Sequence, residues 1–164
     1  MRRAEREAAY VDFVTSRHSH LRRVARALTR DPHQADDLLQ TALTKLYVAW
    51  PRVHRNGSEE AYVRRILVRA SIDESRRPWR RERPTETLPD RPAPEVDPDD
   101  RSALLAALHS LPAQQRATVL LRHWLGLSVT ETAAELGISE GTVKSHTSRG
   151  LAALRTVLEP TDAG

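Results

Sequence analysis

The first 56 residues contain no glycine, and their apolar positions recur at helical spacing. Tyr10, Val14, Leu21, Val24 and Leu28 form one stripe, and Leu38, Ala42, Leu46 and Trp50 form another. This is the periodicity of helices with one face in a core. Between them, Asp31-Pro32-His33-Gln34 reads as a helix start, with Asp as N-cap, Pro at the first helical position and Gln reaching back. Trp50-Pro51 predicts the end of that helix, followed by a loop over 52–57. Ser58 with Glu59 and Glu60 then opens a third helix, since acidic residues suit the positive end of the helix dipole. It is expected to run to about residue 77, with Tyr62, Ile66 and Ala70 inward and Arg64, Arg65, Arg69 and Arg76 outward.

The last third repeats the pattern. A helix over 102–110 carries Leu104, Leu105 and Leu108; Leu111-Pro112 breaks it, and Pro112 starts another bearing Val119, Leu120 and Trp124. Ser128-Val129-Thr130-Glu131 is a capping box. The short helix it opens closes at Gly137, able to take the left-handed conformation at C′. Ile138 fills the turn, Ser139 caps again, and a last helix runs through Val143, Leu151, Leu154 and Leu158. No strand pattern emerges, so the expected fold is all-α. Six of the ten prolines fall between Pro78 and Pro98, in a stretch almost without large apolar residues. Proline at that density blocks helix and leaves nothing for a core. The expected organisation is therefore two small helical domains, 1–83 and 102–164, joined by a Pro-rich acidic linker over 84–101.

Composition narrows the function. The chain has 164 residues and no Cys, which excludes a disulfide framework, a thiolate metal site and a cysteine nucleophile. No apolar run approaches a membrane span of about 18 residues, and the charged N-terminus does not read as a secretory signal. A soluble cytoplasmic protein is expected. The net charge of +4 is unevenly placed: residues 1–83 carry 19 Lys/Arg against 11 Asp/Glu, residues 84–101 carry 2 against 6, and residues 102–164 carry 5 against 5. A basic segment points to a polyanion. Lys45 and Lys144 are the only lysines; arginine makes bidentate phosphate and guanine contacts, although a GC-rich genome would enrich it too.

The stretch from Val129 to Arg155 has the order of a helix-turn-helix: short helix, Gly-containing turn, second helix. Ala133 and Ala134 are small where two helices would cross, and Val129, Leu136, Ile138 and Val143 can form the shared seam. Thr142, Lys144, Ser145, Ser148 and Arg149 face outward from the second helix, a face suited to phosphates and base edges in a major groove. An ordinary helical hairpin with a solvated face is the other reading. Gly150 within that helix costs about 1 kcal/mol relative to Ala, and nothing in the sequence accounts for it.

The segment GISEGTVKSHTSRGLAALR, preceded by SLPAQQRATVLLRHWLGLSVTETAAEL, resembles the fourth conserved region of bacterial sigma factors. DPHQADDLLQTALTKLYVAW and EEAYVRRILVRASIDESRR resemble the second region. The two in this order, over about 150 residues, are similar to extracytoplasmic-function (ECF, group 4) sigma factors of RNA polymerase. The resemblance implies that Asp37, Leu38, Gln40, Thr41 and Lys45 dock on the clamp helices of the largest subunit of core RNA polymerase. It implies a second contact on the flap of the second-largest subunit. It assigns His54, Arg55 and Asn56 to the loop that captures a flipped base, and Arg65, Arg69 and Arg76 to the reader of the −10 promoter element. At Val68-Arg69 the chain departs from the family, where many members have a basic residue followed by Asn. By the same match Lys144, Ser145, Ser148 and Arg149 read the −35 element, Ser139 and Thr142 hold phosphate near a helix N-terminus, and Arg116 touches the DNA backbone.

The physics of those residues is compatible. An Arg-rich helix beside an aromatic binds single strands, though a merely solvated face would look the same. Eighteen linker residues reach about 60 Å, against about 58 Å between elements about 17 base pairs apart. The linker's negative charge fits a path through the polymerase's basic RNA channel, or a passive tether. No cofactor, metal or membrane contact is expected. Asp36 and Asp37 lack a converging third ligand, and the seven histidines show no catalytic or zinc spacing. The expectation is thus a non-enzymatic promoter-recognition subunit, with an anti-sigma factor as a further partner. A stand-alone helix-turn-helix regulator is the alternative.

Overall fold

The computed structural model describes residues 2–76 and 100–159, and among them every regular element is helical. Contacts divide the chain into two units, Met1–Ser71 and Ile72–Gly164. The proline-rich stretch up to residue 99 lies outside the described residues, and residues 100 and 101, expected to be linker, are already helical.

The first unit is built on α1 (Arg3–Leu28) and α2 (Pro32–Arg55), which pack along each other. Asp31 caps α2 by accepting from the His33 amide at 2.9 Å; the expected reach-back from Gln34 does not form, and its buried Nε2 has no partner. Leu21, Val24 and Leu28 meet Leu39, Ala42, Leu43, Leu46 and Trp50 in the core. Leu39 takes the place expected of Leu38, which is half-buried.

Pro51 does not end α2. It lies inside the helix, exposed, and four more residues follow to Arg55. A helical proline forfeits one amide hydrogen bond, and here fully buried Trp50 and Val53 on either side hold the backbone in register. Trp50 is the hub: Tyr10 meets it edge-on at 5.5 Å, Phe13 lies at 5.9 Å, and Tyr10 Oη donates to the Leu43 carbonyl at 2.8 Å.

Helix α3 (Glu59–Ser75) ends two residues before the expected boundary. Its inward face is also one residue out of the expected phase: Val63, Leu67 and Val68 are buried, whereas Tyr62, Ile66 and Ala70 are half-exposed.

In the second unit, α4 (Asp100–Ser110) and α5 (Ala113–Val119) precede a wider π turn over Leu120–Trp124, then α6 (Val129–Leu136) and α7 (Glu140–Leu158). Helix α7 packs against α4, α5 and α6. In the π turn the Leu125 amide donates to the Leu120 carbonyl five residues back, at 3.0 Å. The extra residue per turn lets Leu120 and Leu121 both enter the core and swings Trp124, expected inward, out to 44% exposure. Leu104, also expected inward, is equally exposed; Ala107, Leu108 and Leu111 fill the core there instead.

Candidate nucleic-acid interface

On the outer side of α2, Asp37, Gln40, Thr41 and Lys45 are exposed and Leu38 is half-buried, so the five residues assigned to polymerase docking lie on one accessible surface. Asp36, one residue away, turns back to α1, with its oxygens 3.3–3.4 Å from the guanidiniums of Arg22 and Arg26. Partial burial alone would raise its pKa, but the hydrogen bonds and charges of the two arginines outweigh that and hold the carboxyl below its ordinary value of 3.8. The adjacent carboxylates therefore do different things: Asp36 ties helices together, and Asp37 faces outward. Tyr47 and Val48, the latter 78% exposed, are further outward-facing residues of α2.

The end of α2 and the face of α3 hold the residues assigned to the −10 element. Arg55 and Asn56 are exposed, and Gly57 follows at φ 64°, turning the chain sharply into α3. His54 is braced rather than open: its ring stacks on Trp50 at 4.6 Å and 12°, and its Nδ1 lies 3.6 Å from Glu59 Oε2. The other side of the α3 N-terminus is tied to α1, where Glu60 meets both Arg17 and His20, the latter at 3.2 Å. Burial lowers the His20 pKa below 6.5, more than the attraction of Glu60 raises it; Arg17 and Arg23 lower it further. Arg65 and Arg69 are exposed on α3, and Arg76 is exposed in the turn after it. Val68, where the chain departs from the family pattern, is 2% exposed, so its side chain is core rather than reader.

Two further residues, neither of them assigned to the −10 element, stand at this end. Arg52, exposed on the last turns of α2, places its guanidinium carbon 6.0 Å from the centroid of the half-exposed Tyr62 ring. Spacing does not separate the two faces, since Tyr62 and Ile66 are four apart just as Val63 and Leu67 are; the packing of the unit puts Val63 and Leu67 inside and leaves Tyr62 half-exposed.

The helix-turn-helix forms as expected. Ser128 Oγ accepts from the Glu131 amide at 3.0 Å, and Glu131 Oε1 from the Ser128 amide at 2.9 Å. Gly137 sits at φ 67°. Ser139 Oγ accepts from the Thr142 amide at 3.0 Å and lies 2.8 Å from the Thr142 hydroxyl. Both hydroxyls thus serve the N-terminus of α7 itself. Val143 is fully buried, with Val129, Leu136 and Ile138 half-buried around the turn; Ala133 is in the seam, but Ala134 faces out. Lys144, Ser148 and Arg149 are exposed and Ser145 half-exposed along α7.

Arg116 has a task within the fold. Its guanidinium donates to the carbonyls of Leu108, His109 and Leu111 at 2.9, 3.0 and 2.8 Å. It closes the C-terminal end of α4, where helix carbonyls lack intrahelical donors.

The Sigma-70 region 2 family description matches residues 13–81, and Sigma-70, region 4 matches residues 101–154. The RNA polymerase sigma-E factor of Streptomyces coelicolor is 41% identical over 155 residues, covering 93% of this chain and 88% of that protein. The ECF RNA polymerase sigma factor SigM of Mycobacterium tuberculosis is 32% identical over 158 residues, covering 92% and 77%. Among solved structures, the sigma factor RpoE bound to the anti-sigma factor NepR from Bartonella quintana is similar at a TM-score of 0.72 and 25% identity, covering 92% of this chain and 96% of that one. CnrH in complex with the cytosolic domain of CnrY shares the fold, with a TM-score of 0.63 and 22% identity over 93% and 88%. Two sigma regions in order, on a chain 41% and 32% identical to these two sigma factors over nearly its whole length, leave one conclusion: the chain belongs to the extracytoplasmic-function sigma factors of bacterial RNA polymerase, the family that directs promoter-specific transcription initiation.

Proposed function

We propose a division of labour within that family activity. Residues 1–83 bind core RNA polymerase and the melted −10 element, residues 102–164 bind the −35 duplex, and residues 84–101 connect them. Asp37, Leu38, Gln40, Thr41 and Lys45 form the docking surface for the largest-subunit clamp helices, and the flap of the second-largest subunit receives the second unit. Arg55, Asn56, Arg65, Arg69 and Arg76 meet the exposed −10 strand, with His54 bracing the turn that presents Asn56. Lys144, Ser145, Ser148 and Arg149 read the −35 element, while Ser139 and Thr142 cap the helix that carries them and approach its phosphates. Arg116 is left out of this set because its donors serve Leu108, His109 and Leu111. The protein works in the cytoplasm without catalytic chemistry of its own, and an anti-sigma factor holds it inactive, as NepR accompanies the similar RpoE.

The observation that carries this reading is the pairing of a region 2 match with a region 4 match whose helix-turn-helix is formed down to its caps. A stand-alone regulator would need no region 2. The test is run-off transcription with core RNA polymerase. Core plus this chain is expected to start transcripts at promoters that core alone ignores, and Asp37→Arg should abolish them while leaving the chain folded. Identical transcripts with and without the chain would end the proposal.

A further inference from the structure

We infer that Glu60 is a positioning residue of the −10 reader: by joining Arg17 and His20 of α1, it sets the direction in which α3 leaves the turn at Gly57. The inference rests on α3 meeting the −10 strand, and adds a residue that acts through the helix rather than on the DNA. Helices α1 and α2 lie along each other, and α3 lies along neither in that way. Its middle is seated by Val63, Leu67 and Val68, all buried. Its first turn is not: residues 59–62 are each half-exposed, and Val63 is the first to enter the core. The chain arrives through Gly57 at φ 64°, where an added Cβ would touch nothing within 4 Å beyond its chain neighbours. The bonds that close the turn are at the long end of the range, from the Gly57 amide to the His54 carbonyl at 3.1 Å and from the Ser58 amide to the Val53 carbonyl at 3.4 Å. Burial and the turn leave the start of α3 to be fixed by other contacts.

Side chains supply them. Arg17 and His20 stand three apart on one face of α1, and both meet the same carboxylate oxygen, Glu60 Oε1, with His20 Nε2 at 3.2 Å. Glu59 reaches the other way, its Oε2 3.6 Å from His54 Nδ1 on α2. Consecutive carboxylates thus brace one helical turn against both neighbouring helices. The favourable effect of acidic residues on the helix dipole calls for neither partner. Stability does not account for Glu60 either, since ion pairs as exposed as this one contribute little. The residue stands in the basic first unit, on the same helix as Arg65 and Arg69, where a carboxylate repels a nucleic acid. What it holds explains its presence. With Val63, Leu67 and Val68 it sets the tilt of the helix, and so the line of Arg65 and Arg69 relative to Arg55 and Asn56. Donors held in line before the strand arrives spare the cost of ordering them on binding.

The test sets position against bulk charge, because the two predict opposite signs. It uses holoenzyme reconstituted from core RNA polymerase and the full chain, with a forked promoter fragment whose −10 element is single-stranded. Glu60→Gln removes a negative charge from the DNA-binding unit, so charge alone predicts tighter binding to the fork. The tie predicts weaker binding, by about threefold to fivefold, with affinity for core polymerase unchanged. Glu60→Arg adds still more positive charge but sets it against Arg17, and a loss at least as large is expected. Combining it with Arg17→Glu restores an ion pair of reversed sense across the same gap and should recover most of the binding. Fork binding by Glu60→Gln as tight as that of the unaltered chain, or tighter, overturns the inference. So does a reversed pair that loses as much as its two single changes together. A loss of fork binding matched by an equal loss of core binding also overturns it, since that marks a general loosening of the fold. Unaltered holoenzyme with no preference for the fork over the same −10 sequence in closed duplex sinks the assignment of α3 itself, and the tie's role with it.

Discussion

At single residues, two side chains show how a polar or missing group can be mistaken for function or for a defect. Arg116 sits in a sigma region where a cation invites a DNA reading, yet it donates to three backbone carbonyls at the end of α4. Charged donors to otherwise unmatched carbonyls are worth about 1.5–3 kcal/mol each when removed from a buried setting, and Arg116 is half-buried. Arg116→Ala should therefore lower stability to urea by about 2 kcal/mol while the salt dependence of holoenzyme–promoter affinity stays as it was. A salt slope reduced by about 1 with stability unchanged would return Arg116 to the DNA-binding set. Gly150 is the converse case. A Cβ built there would lie 2.5 Å from Val119 Cγ2, and a β-branched valine at 5% exposure has no rotamer to escape into. The glycine is what lets α5 and α7 approach. Gly150→Ala gains helix propensity of about 1 kcal/mol but overpacks at a cost of about 1–3 kcal/mol, so a net loss of stability is expected. Adding Val119→Ala should recover part of it, and a double-mutant cycle that shows simple additivity would refute the contact.

At the level of elements, caps were legible and faces were less so. Asp31, Ser128, Gly137 and Ser139 each mark a helix end by local chemistry, and each does so in the structure. Pro51 predicts a helix end because its cost is local, whereas the burial of Trp50 and Val53 that outweighs it depends on tertiary packing. The face of α3 slipped by one residue because Tyr62 and Val63 are both apolar enough for a core, and only the rest of the unit chooses between them. The outward faces of α2 and α7 were legible where polar residues recur, as at Asp37, Gln40, Thr41 and Lys45 or Lys144, Ser148 and Arg149, but not at Val48, Val157 and Leu158, whose exposure no local pattern marks. What the sequence concealed altogether was the tie at the start of α3: Glu60 to Arg17 and His20 on α1, and Glu59 beside His54 on α2. This tie carries a pH signature. His20 has a folded pKa below 6.5, mainly from burial, so folding favours its neutral form. Its contribution to stability is fully present above about pH 6.5 and is lost as pH falls through the lower, folded value. Urea midpoints measured from pH 7.5 downward should decline over that range, and His20→Gln should flatten this part of the decline. An unchanged pH profile in the variant would place the titration elsewhere.

For the whole molecule, charge must be counted after internal commitments are removed. The last 63 residues carry five basic side chains, Arg116, Arg122, Lys144, Arg149 and Arg155. Arg116 serves α4, Arg122 Nη1 donates to the Leu127 carbonyl at 2.6 Å, and Arg155 lies 3.9 Å from Glu159 in an exposed i, i+4 pair. Lys144 and Arg149, both exposed and on the helix assigned to the major groove, remain for phosphate or base contact. Duplex affinity tracks the number of phosphates neutralised, with a salt slope of about −0.9 per contact, so two cations imply a slope of about −2. Proteins that bind operators unaided use several times as many. The second unit is therefore expected to bind duplex weakly, and tight promoter recognition is expected only when the polymerase holds it and the basic first unit on one DNA, raising the effective concentration of each site for the other. The isolated chain should retard a −35 duplex only at high protein concentration and lose that binding between 50 and 200 mM salt by roughly tenfold to twentyfold. Holoenzyme on the same promoter should bind tightly at both. Lys144→Ala should take about one unit from the holoenzyme's salt slope, with similar proportional losses on −35 variants, whereas Arg149→Ala should change which variants are preferred. Nanomolar, sequence-specific retention by the isolated chain at physiological salt would contradict this account and would mean that contacts other than these two cations hold the duplex.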